Sequence, residues 1–202
     1  APLSIRNRLK VFSDEANWRE WTRSGRKPAG ILIPAGMAFG TGEHATTATC
    51  LRLLADLAPT LPEGFTVLDL GTGSGILAIG AEALGASRVE AIDFDADAVR
   101  IASENVKKNR CRNIHPSQGD VLKLRAGKPR DVILANLFSD VLIAAAPKIS
   151  RAAKAGGTLI FSGVLRKQSA EVARALVSAG FSAPRIVARG KWCAGICSKP
   201  HP

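Results

Sequence analysis

The run Val67-Leu68-Asp69-Leu70-Gly71-Thr72-Gly73-Ser74-Gly75 constrains this chain more than any other feature. A short β-prone segment, Phe65 to Leu70, meets three glycines set at alternate positions, and a helical pattern from Ile76 to Leu84 follows. Glycines between a strand and a helix let the backbone turn tightly and come close to a ligand.

The neighbouring residues indicate which ligand. A dinucleotide fingerprint has a third glycine where Ile76 stands, and its loop holds a pyrophosphate. Here Asp69 instead stands two residues before Gly71. An acid ahead of the loop suits the cationic, amine-bearing end of S-adenosylmethionine better than NAD, with Gly71, Thr72, Gly73 and Gly75 as the contacting loop. Asp93 ends the next strand, about twenty residues past the loop, where a carboxylate accepts both ribose hydroxyls. Its alternative role is a helix N-cap, since Asp95 and Ala96 open a helix. Phe94 is expected to pack on adenine. Asp120, in Gln118-Gly119-Asp120, either accepts from the adenine amino group or caps a turn.

Beyond the loop, apolar runs alternate with helical patterns. Strands are expected at Arg88 to Ile92, Asp131 to Ala135 and Thr158 to Ser162, with a further one before Gln118. Two final strands cover Pro184 to Ala188 and Lys191 to Cys197. Helices are expected at Ala96 to Lys108, from Asp140 to about Ala153, and around Val172, Leu176 and Ala179 up to Gly180. Pro147 predicts a kink or two short helices within the second of these, and Ala155-Gly156-Gly157 reads as a turn. This βαβ alternation predicts an α/β fold with a doubly wound, mostly parallel sheet. Ahead of it, Arg8 to Phe12 and Ile31 to Ile33 read as strands flanking a helical turn from Asp14 to Trp21, and a helix begins near Thr46. Trp18 and Trp21, three apart, either pack on apolar surface or dock a partner.

The chain has 202 residues, enough for one domain with a full core. Its formal net charge is +11, which either speeds association with anionic partners such as ribosomes or RNA, or reflects solubility alone. The basic residues are scattered rather than gathered in one run. Cys50, Cys111, Cys193 and Cys197 lack zinc-ligand spacing, so no metal site is expected and the cysteines read as buried or edge thiols. With no membrane-length apolar run and no signal-peptide pattern, the expected location is the cytoplasm.

Two further motifs narrow the reading: Gly36-Met37-Ala38-Phe39-Gly40-Thr41-Gly42-Glu43-His44-Ala45-Thr46-Thr47, and Ala135-Asn136-Leu137-Phe138 at the end of a core strand. Together with Asp69 to Gly75 they resemble the bacterial ribosomal protein L11 methyltransferase family over about residues 30 to 197, and Lys191-Trp192-Cys193 looks like that family's final strand. The resemblance implies a Rossmann-like class I methyltransferase fold with a seven-stranded sheet whose last strand is antiparallel. It divides the chain into a lead-in and donor-covering loop over residues 1–45 and a methyltransferase domain over residues 46–202. It also implies methyl transfer from S-adenosylmethionine, leaving S-adenosylhomocysteine, to lysine or α-amino groups of a ribosomal protein. By position, Phe39, Gly40, Thr41 and Thr46 would contact or cover the donor, and Asn136 and Leu137 would line the place where donor and amine meet.

A strand-end amide suits that chemistry. Lysine, with a reference pKa near ~10.4, must lose its proton to become nucleophilic. The side-chain oxygen of Asn136 accepts amine protons without adding a full negative charge, whereas a carboxylate would keep the amine protonated. A turn-forming Asn is the alternative. His44 either accepts a proton or contacts substrate, or it braces the loop; Glu43 either attracts a cationic substrate or is solvated. The chain departs from the family pattern at Glu43, Ala45 and Thr72, where Thr, Pro and Cys are usual. Family members also carry an N-terminal substrate-recognition domain, whereas 35 residues precede the loop motif here. Either the sequence is trimmed or this is a shorter relative with another substrate. Methylation of RNA or a small molecule, and donor binding without catalysis, remain the alternative functions.

Overall fold

The computed structural model describes residues 1–35, 45–125 and 127–201. Its central sheet has seven strands in the order β6-β5-β4-β7-β8-β10-β9. These are β4 (Thr66–Leu70), β5 (Arg88–Asp93), β6 (Ile114–Gln118), β7 (Arg130–Asn136), β8 (Ala153–Leu165), β9 (Arg185–Arg189) and β10 (Trp192–Ser198). All pairings from β6 to β8 are parallel, whereas β10 runs antiparallel to both β8 and β9. The doubly wound, mostly parallel sheet with an antiparallel last strand is therefore as expected.

Strand β7 shows why the sheet is central. Val132, Ile133, Leu134 and Ala135 are all fully buried, as a parallel strand covered on both faces must be. Successive side chains alternate between two cores. Val132 and Leu134 pack with helices α2 (Ala45–Leu57) and α3 (Ile76–Ala83). Ile133 and Ala135 pack with α5 (Ser139–Ala152) and α6 (Ser169–Ser178). Helix α4 (Ala96–Lys108) is capped by Asp95, whose carboxylate accepts from Asp97 N, and ends on Lys107 and Lys108, which suit the negative end of the helix dipole.

Two local expectations change. Pro147 lies inside a continuous α5, not between two short helices. The buried face of Leu142, Ala145, Ala146 and Ile149 holds that helix on the sheet despite the missing N–H. The Ala155-Gly156-Gly157 turn is an excursion within β8. Pairing with β7 shifts from Arg130↔Ala153 to Val132↔Thr158, and Gly156 adopts a φ of +74°. Lys199 satisfies the displaced backbone: Gly156 N donates to its carbonyl, and its N–H donates to Gly157 O, each at 2.8 Å.

Ahead of the sheet, β1 (Leu3–Ile5), β2 (Leu9–Phe12), α1 (Glu15–Arg23) and β3 (Ala29–Leu32) form a small three-stranded unit. Strand β1, not anticipated, pairs with β2 through a turn in which Arg6 and Asn7 take positive φ. Ile5, Leu9, Val11, Ile31 and Ile33 join the core on the α2–α3 side. Trp18 and Trp21 pack here, and their indole N–H groups donate to Gly30 O and Pro28 O, each at 3.0 Å. Cys50, Cys193 and Cys197 are buried thiols and Cys111 is half-buried. No helix among the described residues is long and apolar enough to cross a membrane.

The β8–β10 pairing depends on Gly195. A Cβ there would stand 2.3 Å from the ring of the fully buried Phe161. Gly195→Ala is expected to lower unfolding free energy by about 2–3 kcal/mol, measured by urea denaturation.

Candidate active site at the carboxyl ends of β4 and β7

Strand order reverses between β4 and β7, and a crevice opens beyond their carboxyl ends. A cavity of about 330 Å³ fills it. The Gly71–Gly75 loop forms one wall and is tied to the end of β5. Gly71 N and Thr72 N both donate to Ile92 O, at 2.8 and 3.0 Å. Gly73 N donates to Asp93 Oδ2 at 2.8 Å, while Asp93 Oδ1 accepts from Asp95 N at 3.0 Å. Asp93 thus clamps the loop and faces the cavity, and the N-cap of α4 falls to Asp95 instead.

The opposite wall comes from the end of β7. Leu137 N donates to Ser162 O at 3.0 Å, and the Leu137 side chain lies over Gly71. A Cβ on Gly71 would fall 2.6 Å from Leu137 Cδ2, and one on Gly163 would fall 2.4 Å from Leu137 O. Both glycines have positive φ, so neither position accommodates a side chain. Asn136 Nδ2 donates to Thr47 Oγ1 at 3.4 Å. Thr46 and Thr47, both buried in the first turn of α2, complete this side.

Of the residues expected from sequence, the cavity wall includes Thr46, Gly71, Thr72, Gly73, Asp93, Asn136 and Leu137. Asp69, Gly75, Phe94 and Asp120 are not part of it. Phe94 is 73% exposed beside Asp93. Asp120 caps a short 3-10 turn, accepting from Leu122 N at 2.8 Å. Phe39, Gly40, Thr41, Glu43 and His44 lie outside the described residues. Sequence reasoning did not single out Ile76, Leu77, Val141, Gly163 or Trp192 as wall residues. Gly163, just past the register of Asn136 on β8, carried a usable signal: a glycine at the carboxyl end of a core strand.

The electrostatics of the wall are one-sided. Among the described residues, the single charged side chain that lines it is the carboxylate of Asp93. Behind the loop, Asp69 is fully buried; its Oδ2 accepts from Thr72 Oγ1 at 2.6 Å, and its Oδ1 has no partner. Burial raises the Asp69 pKa to about 7, opposed by the Thr72 hydroxyl and reinforced by the negative charge of Asp93. The remaining wall is glycine, threonine, an amide and apolar side chains. Such a site fits an apolar ligand that carries positive charge, and a cation bound there would favour the ionised form of the buried Asp69 on the same side. Among the described residues, no cationic side chain in the wall is placed to hold a pyrophosphate.

The native fold keeps the Asp69 proton up to about pH 7, whereas an unfolded chain releases it near ~3.9. Between those values folding takes up a proton, so this group's stabilising contribution falls as pH rises through the window. Unfolding free energies measured by urea from acid to neutral pH should show that decline in the native sequence. Asp69→Asn should lack it.

A family model described as "Ribosomal protein L11 methyltransferase (PrmA)" matches residues 1–200. A ribosomal protein L11 methyltransferase of Bacillus cereus (strain ATCC 10987 / NRS 248) is 38% identical over 185 residues, covering 91% of this chain and 58% of the relative. The chain therefore spans 58% of the length of that relative. A crystal structure of a ribosomal protein L11 methylase from Lactobacillus delbrueckii subsp. bulgaricus superposes with a TM-score of 0.81 at 27% identity, covering 99% of both chains. A SAM-dependent methyltransferase from Aquifex aeolicus gives a TM-score of 0.59 at 26% identity, over 73% of this chain and 92% of the other. Loop, strand order and crevice agree with this kinship: the chain belongs to the ribosomal protein L11 methyltransferase family.

Proposed function

We propose that this chain is a protein methyltransferase that moves methyl groups from S-adenosylmethionine to amino groups, on lysine side chains or an α-amine, of a ribosomal protein in the cytoplasm. The observation that carries this reading is the charge of the cavity. In a chain of formal net charge +11, the charged side chain that lines the described wall is an acid, Asp93. The names of the relatives support the ribosomal substrate. Residues 46–202 serve as the methyltransferase domain, and residues 1–45 as the lead-in and donor-covering loop.

Each wall has its own task. Bound S-adenosylmethionine supplies a methyl group on a positively charged sulfur. Asp93, held by the Gly73 N–H, accepts the ribose hydroxyls, with Phe94 and Asp120 at the adenine end. The Gly71–Gly75 loop lets the backbone approach closely, and Asp69, which ionises as a cation is brought near it, favours the ammonium end. Phe39, Gly40, Thr41 and Thr46 cover the donor, with His44 in the same loop as a substrate contact. Across the cavity, Leu137, Phe138, Val141 and Trp192 give an apolar approach that strips water from the incoming amine and lowers its pKa. With Nδ2 turned to Thr47, the Asn136 amide oxygen is left to accept an amine proton and orient the nitrogen lone pair.

Two substitutions separate these tasks. Asp93→Ala is expected to weaken S-adenosylmethionine binding at least ~tenfold by calorimetry, about 1.4 kcal/mol or more. Unchanged affinity would remove the ribose assignment. Asn136→Ala should slow transfer of labelled methyl groups to ribosomal proteins at saturating donor, with donor affinity largely retained. Lost affinity with normal turnover at saturation would overturn its role toward the amine.

A further inference from the structure

A second and larger cavity, about 650 Å³, lies away from the proposed methyl-transfer site, between α1, β3 and the carboxyl end of α4. Helix α4 begins next to Asp93 and ends at Lys108, so its length of roughly 20 Å separates the two cavities. The fold builds this groove by joining segments far apart in sequence. Leu32 N donates to Asn109 Oδ1, and Asn109 Nδ2 donates to Leu32 O, each at 2.7 Å. These bonds fix the end of α4 beside β3 and set Lys107, Lys108 and Arg110 across from Arg19 and Arg23 of α1. Trp18 closes the floor.

Charges that look scattered along the chain are gathered here. Residues 1–35 hold seven Lys and Arg against three Asp and Glu, and residues 107–112 add four cations and no acid. Within the groove the one acid is Glu15, which pairs with Arg19. Among the described residues, Arg23, Lys107, Lys108 and Arg110 have no acidic partner at ion-pair distance. Beside the groove, Lys10 and Arg26 stand over the Trp21 ring at 3.9 and 5.8 Å from its centroid.

We propose that this groove binds the phosphate backbone of RNA. Two facing rims of cations suit a polymer with one negative charge per residue, and the planar guanidinium groups of Arg19, Arg23 and Arg110 match phosphate oxygens in pairs. A polypeptide partner is generally anchored by large apolar side chains. Phe94, Leu122, Phe138, Val177 and Ile186 are the exposed large apolar residues among those described, and none lies in this groove. Recognition here is therefore electrostatic and independent of base sequence. The groove holds RNA whether or not the methyl-transfer assignment is correct.

The test is fluorescence anisotropy of the full chain with a labelled single-stranded RNA of about 20 nucleotides, between about 50 and about 200 mM salt. The triple variant Lys107→Glu, Lys108→Glu, Arg110→Glu should weaken binding at least ~tenfold and flatten the log–log salt slope by about two. The pair Arg19→Gln and Arg23→Gln, on the other rim, should weaken it in the same direction with the α4 turn left intact. A far-ultraviolet circular dichroism spectrum and a thermal transition matching those of the native chain report that each variant is folded. Three outcomes would overturn the proposal: no binding by the native chain at the lower salt, affinity unchanged in both folded variants, or competition by poly-glutamate as effective as by unlabelled RNA.

Discussion

The site depends on the junction where the Gly71–Gly75 loop is tied to the end of β5. Three N–H groups of the loop donate to that strand end, two to the Ile92 carbonyl and one to the Asp93 carboxylate. Loop residues of this kind ordinarily lose definition for want of partners. Here the parallel pairing of β4 with β5 supplies them, because the register Leu70↔Ile92 brings the two strand ends level. Asp93 is consequently part of the scaffold and part of the cavity at once. The opposite wall leans on the same loop through the contact of Leu137 with Gly71.

The sheet and the loop could be read from the sequence because each rests on local pattern. The runs at Val67 to Leu70 and Val132 to Ala135 are too apolar for a one-sided strand, and the glycines mark where the first one ends. Strand β1 escaped reading because its three residues are too few to show an apolar pattern, although Asn7 in its turn is a residue type that takes positive φ readily. The other features are set by contacts distant in sequence. The Gly156 excursion reads locally as a turn; only Lys199, more than forty residues on, lets it stay within a strand. Pro147 is tolerated because tertiary burial of one helical face outweighs a local penalty. Trp192 enters the cavity through sheet order, which no local window carries.

Charge shows the same division. Along the chain the cations look dispersed, yet the fold gathers many of them at one end of α4 and keeps them out of the cavity at the other. The fold of this chain thus presents two surfaces of opposite character at the two ends of one helix. A basic exterior and an acid-lined interior do not conflict, because a separation of roughly 20 Å exceeds the ~8 Å screening length at physiological ionic strength.

The buried carboxyl behind the loop has a consequence for the heat of ligand binding. With its pKa raised to about 7, Asp69 carries a proton in a substantial fraction of molecules at neutral pH. A cation brought against Asp93 stabilises the ionised form of Asp69 as well and drives that proton into solvent. Binding enthalpy then includes the protonation enthalpy of whichever buffer accepts it, so the same titration in phosphate and in Tris gives two different heats for one affinity.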